Sequence, residues 1–336
     1  MNTKPVLGIL LGDAAGVGPE IVAKLAGTGF FDEYCRPILI GDARIFARGA
    51  SVCGLEIPVQ IIQSVEEADW NHGIPLLDRH NLFPEQAPFS KISVESGRAC
   101  LDMLKTAVEL YQAGKIEGFC FVPLNKQAMI QAGCPFESEH HYMAHLFGHT
   151  DPFGEINVVE NLWTTRTTSH IPISKVSENL TINTILRAIR LANVSLKSSG
   201  IRKPRLAVAA LNPHGGEGGK CGREELDVIG PAIEQARAMD IDASGPFPSD
   251  ILFIKAFNGE FDGVVTMYHD QGQIALKLRG FDQGITIAGG LPAPIVTCAH
   301  GTAYDIAGKG IVKTSAFENA VKMASKMAVH GRSVEK

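Results

Sequence analysis

Short apolar runs alternate along the chain with stretches in which apolar residues recur at helical spacing. The runs at 6–11, 37–40, 118–122, 156–159, 205–210 and 263–267 read as buried strands. Helical spacing predicts helices over 96–113, 182–196 and 316–329, and another over 224–238 around an internal Pro231. Such alternation predicts an α/β fold in which parallel or mixed sheets are covered by helices. With 336 residues, the chain suits one large or two closely joined α/β domains. The polar stretch 197–203 reads as a helix-to-strand loop, and no repeat or low-complexity tract interrupts the pattern.

Composition narrows the class without deciding it. Hydrophobic residues at 45% and charged residues at 20%, with 35 Gly and 18 Pro, describe a loop-rich globular enzyme. A net charge of -5 and the lack of a Lys/Arg block argue against nucleic acid or an anionic membrane as partner. The apolar run at 6–11 has no basic segment before it and is too short for a signal peptide or a span, so the cytoplasm is expected. Seven scattered cysteines without a Cys-x-x-Cys pair are expected to be reduced and mostly buried.

Candidate chemistry lies in the loops. Gly12-Asp13-Ala14-Ala15-Gly16-Val17-Gly18-Pro19-Glu20 follows the first strand and opens a helix at Pro19. Its glycines, Gly12 and Gly16 among them, would let backbone approach a ligand at a helix N-terminus, although the spacing is not the dinucleotide fingerprint and Asp13 intrudes. The bland alternative is a glycine-rich turn. His170, His214 and His269 each sit in a turn-like context near a strand end, where ligands collect in α/β folds. One such histidine would merely cap a turn, whereas three point to a metal or substrate site. Asp270 and Asp250 could add carboxylate oxygens.

His140, His141, His145 and His149 form a competing cluster in which two pairs share the i,i+4 spacing, but the glutamate of a zinc-binding His-Glu-x-x-His motif is missing. One of them could instead act as acid, base or anion donor. The run His300-Gly301-Thr302-Ala303-Tyr304-Asp305 suits close packing of an adenosine ribose, with Asp305 accepting from its hydroxyls. Lys126, in Pro123-Leu124-Asn125-Lys126, and Lys277 could bind an anion or move a proton, or stay solvated.

These motifs together resemble the 4-hydroxythreonine-4-phosphate dehydrogenase (PdxA) family over nearly the whole chain. The opening Gly-Asp-Ala-Ala-Gly-Val-Gly-Pro-Glu resembles its first motif and Pro-Leu-Asn-Lys its second. Leu-Asn-Pro-His-Gly-Gly-Glu-Gly-Gly and Met-Tyr-His-Asp-Gln-Gly resemble its two metal motifs. The segment 300–310 is similar to the cofactor loop of isopropylmalate and isocitrate dehydrogenases. The resemblance implies two α/β/α domains, 1–135 with 286–336 on the cofactor side and 136–285 on the metal side, with the active site in the interdomain cleft. It also implies a homodimer whose metal site is completed across the subunit interface, with NAD and one divalent ion (Zn, Mg, Mn or Co) per subunit.

Carried over residue by residue, the resemblance makes His170, His214 and His269 the metal ligands. Lys126, His140 and Lys277 become the catalytic candidates, and Gly12, Asp13, Gly16, His300, Gly301, Thr302 and Asp305 the cofactor contacts. Substrate would meet His140, His141, Lys277, Asp250, Thr286 and Ile295. His141 replaces a threonine of the family, Thr286 an asparagine and Ile295 an arginine, which removes an amide and a bidentate anion donor. The implied reaction is oxidation of a secondary alcohol β to a carboxylate, then decarboxylation. The substrate class is 4-phosphohydroxy-L-threonine or a 4-phosphothreonate or erythronate. Alternatives are an unphosphorylated dihydrodiol dicarboxylate, as in terephthalate dihydrodiol dehydrogenase, a metal-dependent hydrolase or lyase without NAD, and a binding protein without catalysis.

Overall fold

The structure, a computed structural model, describes residues 4–334. In chain order these form β1 (Val6–Leu10), α1 (Gly18–Gly27), α2 (Phe30–Tyr34), β2 (Arg36–Gly41), α3 (Ala43–Val52), β3 (Val59–Ile62) and β4 (Ile74–Asp78). There follow α4 (Val94–Gln112), β5 (Phe119–Phe121), α5 (Lys126–Gln131), α6 (Glu139–Phe147), β6 (Gly154–Val159), β7 (Leu162–Arg166), α7 (Val176–Asn179) and α8 (Ile182–Ser198). The chain continues with β8 (Leu206–Ala209), α9 (Gly230–Ala238), β9 (Ala243–Phe247), α10 (Ser249–Phe257), β10 (Gly263–Thr266) and α11 (His269–Gly280). It ends with β11 (Ile285–Gly289), β12 (Ile295–Cys298) and α12 (Ser315–Val334).

Two compact units share this chain. The first runs to Thr150 and resumes at Leu291; the second is Asp151–Gly290. The expected limits at 135/136 and 285/286 therefore move to 150/151 and 290/291. α6 packs on α4 and stays with the first unit, while β11 pairs antiparallel with β6 and stays with the second.

In the first unit the strand order is β3-β4-β2-β1-β5-β12, and every pair is parallel. Strands buried on both faces need continuous apolar sequence, which Pro37-Ile38-Leu39-Ile40 and Phe119-Cys120-Phe121 supply. The second unit has the order β11-β6-β7-β10-β8-β9. The β11/β6 and β6/β7 pairs are antiparallel, and β7, β10, β8 and β9 run parallel. Leu162, Ala207, Ala209 and Val264 point from this sheet onto Leu252, Phe253 and Ala256 of α10. On the opposite face Gly154 and Gly263 admit Leu191 and Leu196 of α8.

The helix expected over 224–238 is divided at its proline. Residues Glu225–Ile229 form a π turn and α9 starts at Gly230, because Pro231 has no N–H to continue the α ladder. Among the described residues no helix is long and apolar enough to cross a membrane. All seven cysteines are free; five are buried, Cys53 is half-buried and Cys221 is exposed. Burial pushes the thiols of Cys35, Cys100, Cys120 and Cys298 up, which keeps them protonated and inert.

Candidate active site

In the second unit, β7, β10 and β8 are consecutive parallel neighbours, so the segments leaving their carboxyl ends emerge along one edge. Those segments carry His170, His269 and His214 respectively. The β7/β10 pairing continues past the strands: Thr167 N–H donates to Thr266 O (2.8 Å) and Thr168 N–H to Met267 O (3.1 Å). The Thr168 hydroxyl donates to the same Met267 carbonyl at 2.7 Å. This stitching brings the His170 and His269 rings to a centroid separation of 5.5 Å. His269 opens α11, and its Nδ1 lies 2.6 Å from Asp270 Oδ1. With Nδ1 donating to that carboxylate, Nε2 carries the lone pair.

His214 is held differently. From His214 to Gly218 every residue has positive φ, between 45° and 80°. Such a left-handed turn costs about 1–2 kcal/mol for each residue bearing a Cβ, so three of the five are glycine. Glu225 secures the turn from beneath. Its buried carboxylate accepts from Leu211 N–H and Asn212 N–H, both at 2.8 Å, and from the Asn212 amide at 2.9 Å. Glu224 accepts from the Asn212 amide at 2.7 Å and from the Ser177 hydroxyl, so one carboxylate ties the His214 turn to α7 beyond His170. The Ser177 and Asn212 bonds hold its carboxyl below the usual range. The ring nitrogens of the three histidines do not come within 4.8 Å of one another as a set in the single chain.

Around this edge, Gln271 donates to Ala210 O (2.7 Å) and to Ser249 Oγ (2.8 Å), and it accepts from Met267 N–H at 2.6 Å. It thereby joins the start of α11 to the end of β8 and to the start of α10, where Asp250 is exposed. Lys277 is exposed on α11 and shares, at steps of four residues, the face of His269 and Gln273.

In the first unit the glycine-rich loop and segment 300–310 meet. Asp13 is 0% exposed, and its Oδ2 accepts from the Tyr304 hydroxyl at 2.6 Å. Its Oδ1 accepts from Ser96 Oγ (2.5 Å) and Ala15 N–H (3.1 Å). Val17 N–H donates to Thr302 O at 3.1 Å. Glu20, also 0% exposed, accepts from Gly308 N–H (2.7 Å) and Gly310 N–H (2.9 Å). Burial and the Asp13 carboxylate push the Tyr304 phenol well above its ordinary value, so it remains a donor. Asn125 adds a bond from its amide to Tyr304 Oη at 2.9 Å while capping α5, the helix that begins with Lys126.

Two catalytic candidates share one carboxylate. Lys126 Nζ lies 3.8 Å from Glu139 Oε2, and the buried His140 places Nδ1 3.6 Å from Glu139 Oε1. His141 is exposed on α6 and bonds Ser138 Oγ through Nδ1 at 2.9 Å. His145 stacks on Phe136 at 4.9 Å. The structure thus gives two members of the competing histidine cluster local partners in the segment that leads into their helix.

Residues 33–324 match the family described as pyridoxal phosphate biosynthetic protein PdxA. The 4-hydroxythreonine-4-phosphate dehydrogenase of Desulforapulum autotrophicum is 38% identical, over 97% of this chain and 96% of its own. The D-threonate 4-phosphate dehydrogenase of Cupriavidus necator is 37% identical, over 96% and 97%. The chain belongs to the PdxA family. The crystal structure of a 4-hydroxythreonine-4-phosphate dehydrogenase from Burkholderia phymatum superposes with a TM-score of 0.83 at 36% identity, over 96% of this chain and 98% of that one. These relatives place the chain among oxidoreductases.

Several positions expected to touch ligands are engaged by protein in this PdxA chain. Ile295 is 0% exposed in β12, so the position supplies packing and no polar grip. Thr286 is buried, and its hydroxyl accepts from the Asn157 amide at 2.9 Å. Asp13 spends its carboxylate on Tyr304 and Ser96, and a Cβ at Gly16 would stand 2.7 Å from Thr302 O. The opening loop of this PdxA chain therefore packs against protein at these points. His300, Gly301, Thr302 and Asp305 keep exposed or half-exposed surface, and a Cβ at Gly301 would meet nothing within 4 Å. Sequence reasoning missed Arg166, Asn157, Glu225 and Gln271. Arg166 at the end of β7 and an amide, Asn157, inside the apolar run of β6 were the available signals for the first two.

Proposed function

We propose that the chain is an NAD-linked, divalent-metal-dependent dehydrogenase of the cytoplasm. Its substrate is a 4-phosphorylated four-carbon hydroxy acid of the hydroxythreonine or threonate class, oxidised at the alcohol β to the carboxylate and then decarboxylated. The carrying observation is the pair of imidazoles 5.5 Å apart at the carboxyl edge of parallel strands, in a family of dehydrogenases. The donor set fits a divalent ion: two adjacent rings, one of them oriented by a carboxylate, with His214 leaving the same edge. His170, His214 and His269 would hold the ion. When bound, it supplies a Lewis acid that acidifies the alcohol and withdraws charge as CO₂ leaves. The dehydrogenase names of the relatives favour oxidation over hydrolysis on the same ligands.

The chain's own groups do the rest. Lys277 presents its ammonium on the helix face of His269, binds the substrate's anion there and returns a proton from Nζ to the carbon that loses CO₂. Lys126 and His140 flank Glu139, a place for the alcohol proton to go. Asp250, beside α11, accepts from a substrate hydroxyl. Thr302 and Asp305, on a segment pinned by Glu20 and Tyr304, take the ribose of the dinucleotide.

The same proposal includes a homodimer that completes the metal site. Its support is the outer face of α11 and its cap, where Ile274, Leu278 and the capping Phe281 are 59%, 84% and 64% exposed and follow helical spacing. Free thiols accord with a reducing compartment. A second reading, an unphosphorylated dicarboxylate as substrate, is favoured by the buried Ile295 and the occupied Thr286 hydroxyl. A screen of phosphorylated and unphosphorylated hydroxy acids for metal-dependent NADH formation separates the two. His214→Ala should lower turnover by about 10³-fold or more while NAD affinity holds. Full activity of that variant after exhaustive chelation would refute the metal site.

A further inference from the structure

Arg166 ends β7, and four residues later the chain reaches His170. In the β6/β7 ladder Thr164 stands opposite Asn157, and on the other side of β6 Thr286 stands opposite the same Asn157. Side chains two apart on a strand share a face, so Glu155, Asn157, Thr164, Arg166 and Thr286 line one face of the sheet. The Arg166 side chain is only 9% exposed there, and its fork is fully engaged. Nη1 donates to Asn157 Oδ1 (2.9 Å), Nη2 to the Glu155 carboxylate, and Nε to Ser169 Oγ (2.9 Å), the residue before His170. Asn157 Oδ1 also accepts from Gln273 Nε2 at 2.6 Å, and Gln273 lies one turn along α11 from His269.

One guanidinium is thus bonded, directly or through one amide, to both segments that carry the paired imidazoles. Neither segment is regular β structure at its histidine; His170 itself has φ +48°. A left-handed residue in an exposed turn keeps its geometry only if its neighbours hold it. We infer that Arg166 is a positioning residue, whose planar fork sets the directions in which His170 and His269 present their ring nitrogens. The role requires the fork as well as the charge: a lysine ammonium is a single nitrogen and cannot stand at the three places from which Nε, Nη1 and Nη2 donate. The inference rests on the metal reading above, since it concerns how well two ligands are aimed at one ion.

The test is a titration of the full-length protein with Co²⁺, followed by visible absorption, for the parent and for Arg166→Leu, Arg166→Lys and Gln273→Leu. Circular dichroism and NAD affinity are measured on each. All three variants should bind Co²⁺ about 10–100-fold more weakly than the parent, with altered ligand-field bands and unchanged NAD affinity. A purely structural arginine would lower the denaturation midpoint but leave the affinity and spectrum of the folded protein alone. Should Arg166→Leu fail to fold, Gln273→Leu reads the same connection from the helix side. Affinity within about twofold of the parent in the folded variants overturns the inference. So does recovery of parental affinity by Arg166→Lys, which would make charge alone sufficient. A parent that takes up no Co²⁺ overturns the metal reading and this inference with it.

Discussion

Segments 12–18 and 212–219 are both rich in glycine and both follow a strand of a parallel pair, yet they are built to different ends. In the first, a carboxylate and a tight approach close the loop against its neighbour: Asp13 holds Tyr304, and Gly16 lies against Thr302. In the second, glycines let the backbone turn left-handed, so that His214 is raised into solvent while Glu225 holds the base. The same residue type thus serves close packing in one unit and a strained display in the other. The distinction lies in where the acid that holds the loop sits. In the first unit it sits inside the loop; in the second it comes from a turn thirteen and fourteen residues away.

The largest expected effect tests the second loop. Glu225→Ala strands two main-chain donors under the His214 turn, and should lower stability by about 2–5 kcal/mol in urea denaturation. Asp13→Ala strands Tyr304 and Ser96 in the first unit and should fall in the same range. Its further expected effect is on NAD affinity, whereas Glu225→Ala should act on metal affinity. Crossed effects, with each variant disturbing the other ligand, would erase the contrast.

Next comes an acid-sensitive contact of the first unit. Burial pushes the Asp42 carboxyl up, but the Arg44 fork and the main-chain donors of Leu82 and Arg44 outweigh it and bring the carboxyl below its ordinary value. A carboxylate held low in the folded state contributes stability that is present above its unfolded value and lost as pH falls through its folded one. Asp42→Asn should therefore cost about 1–3 kcal/mol near neutrality, and the gap to the parent should close in acid. A gap that widens below the carboxylate range would reverse the sign of this account.

The last comparison sets two glycines side by side and ends on the smallest effect. A Cβ at Gly16 would stand 2.7 Å from a carbonyl, so Gly16→Ala should cost about 1–3 kcal/mol. Gly301 faces open space, and Gly301→Ala should stay within about 0.5 kcal/mol while NAD affinity drops. Equal thermal midpoints for the two variants would show that the first loop is not sealed.

Much of the frame was legible along the chain. The apolar runs at 37–40 and 263–267 needed no context to be strands, because four or five adjacent buried positions exceed what a loop can hide. β7, β9 and β12 escaped notice for the opposite reason. Leu-Trp-Thr-Thr-Arg is half polar, Ala-Ser-Gly-Pro-Phe has the look of a turn, and Ile-Val-Thr-Cys carries a polar Thr297 within its four residues. β9 and β12 are paired by strands distant in sequence, and β7 is flanked by the distant β10 as well as by its hairpin partner β6. The histidine motifs were visible too, but not the carboxylates and guanidinium beneath them.

What the sequence determined by itself was local: strand and helix identity, the turn residues, and the family motifs that carry His170, His214 and His269. These follow from side-chain periodicity and backbone preference, which act over a few residues. Tertiary structure alone decided that β7, β10 and β8 stand side by side, that Asp13 faces inward to Tyr304, and that Arg166 meets Asn157 and Ser169. The first depends on which strands find one another's backbone edges, and the other two on which partner a buried charge finds once water is gone. A buried charge must be paired, and only the folded chain determines with what.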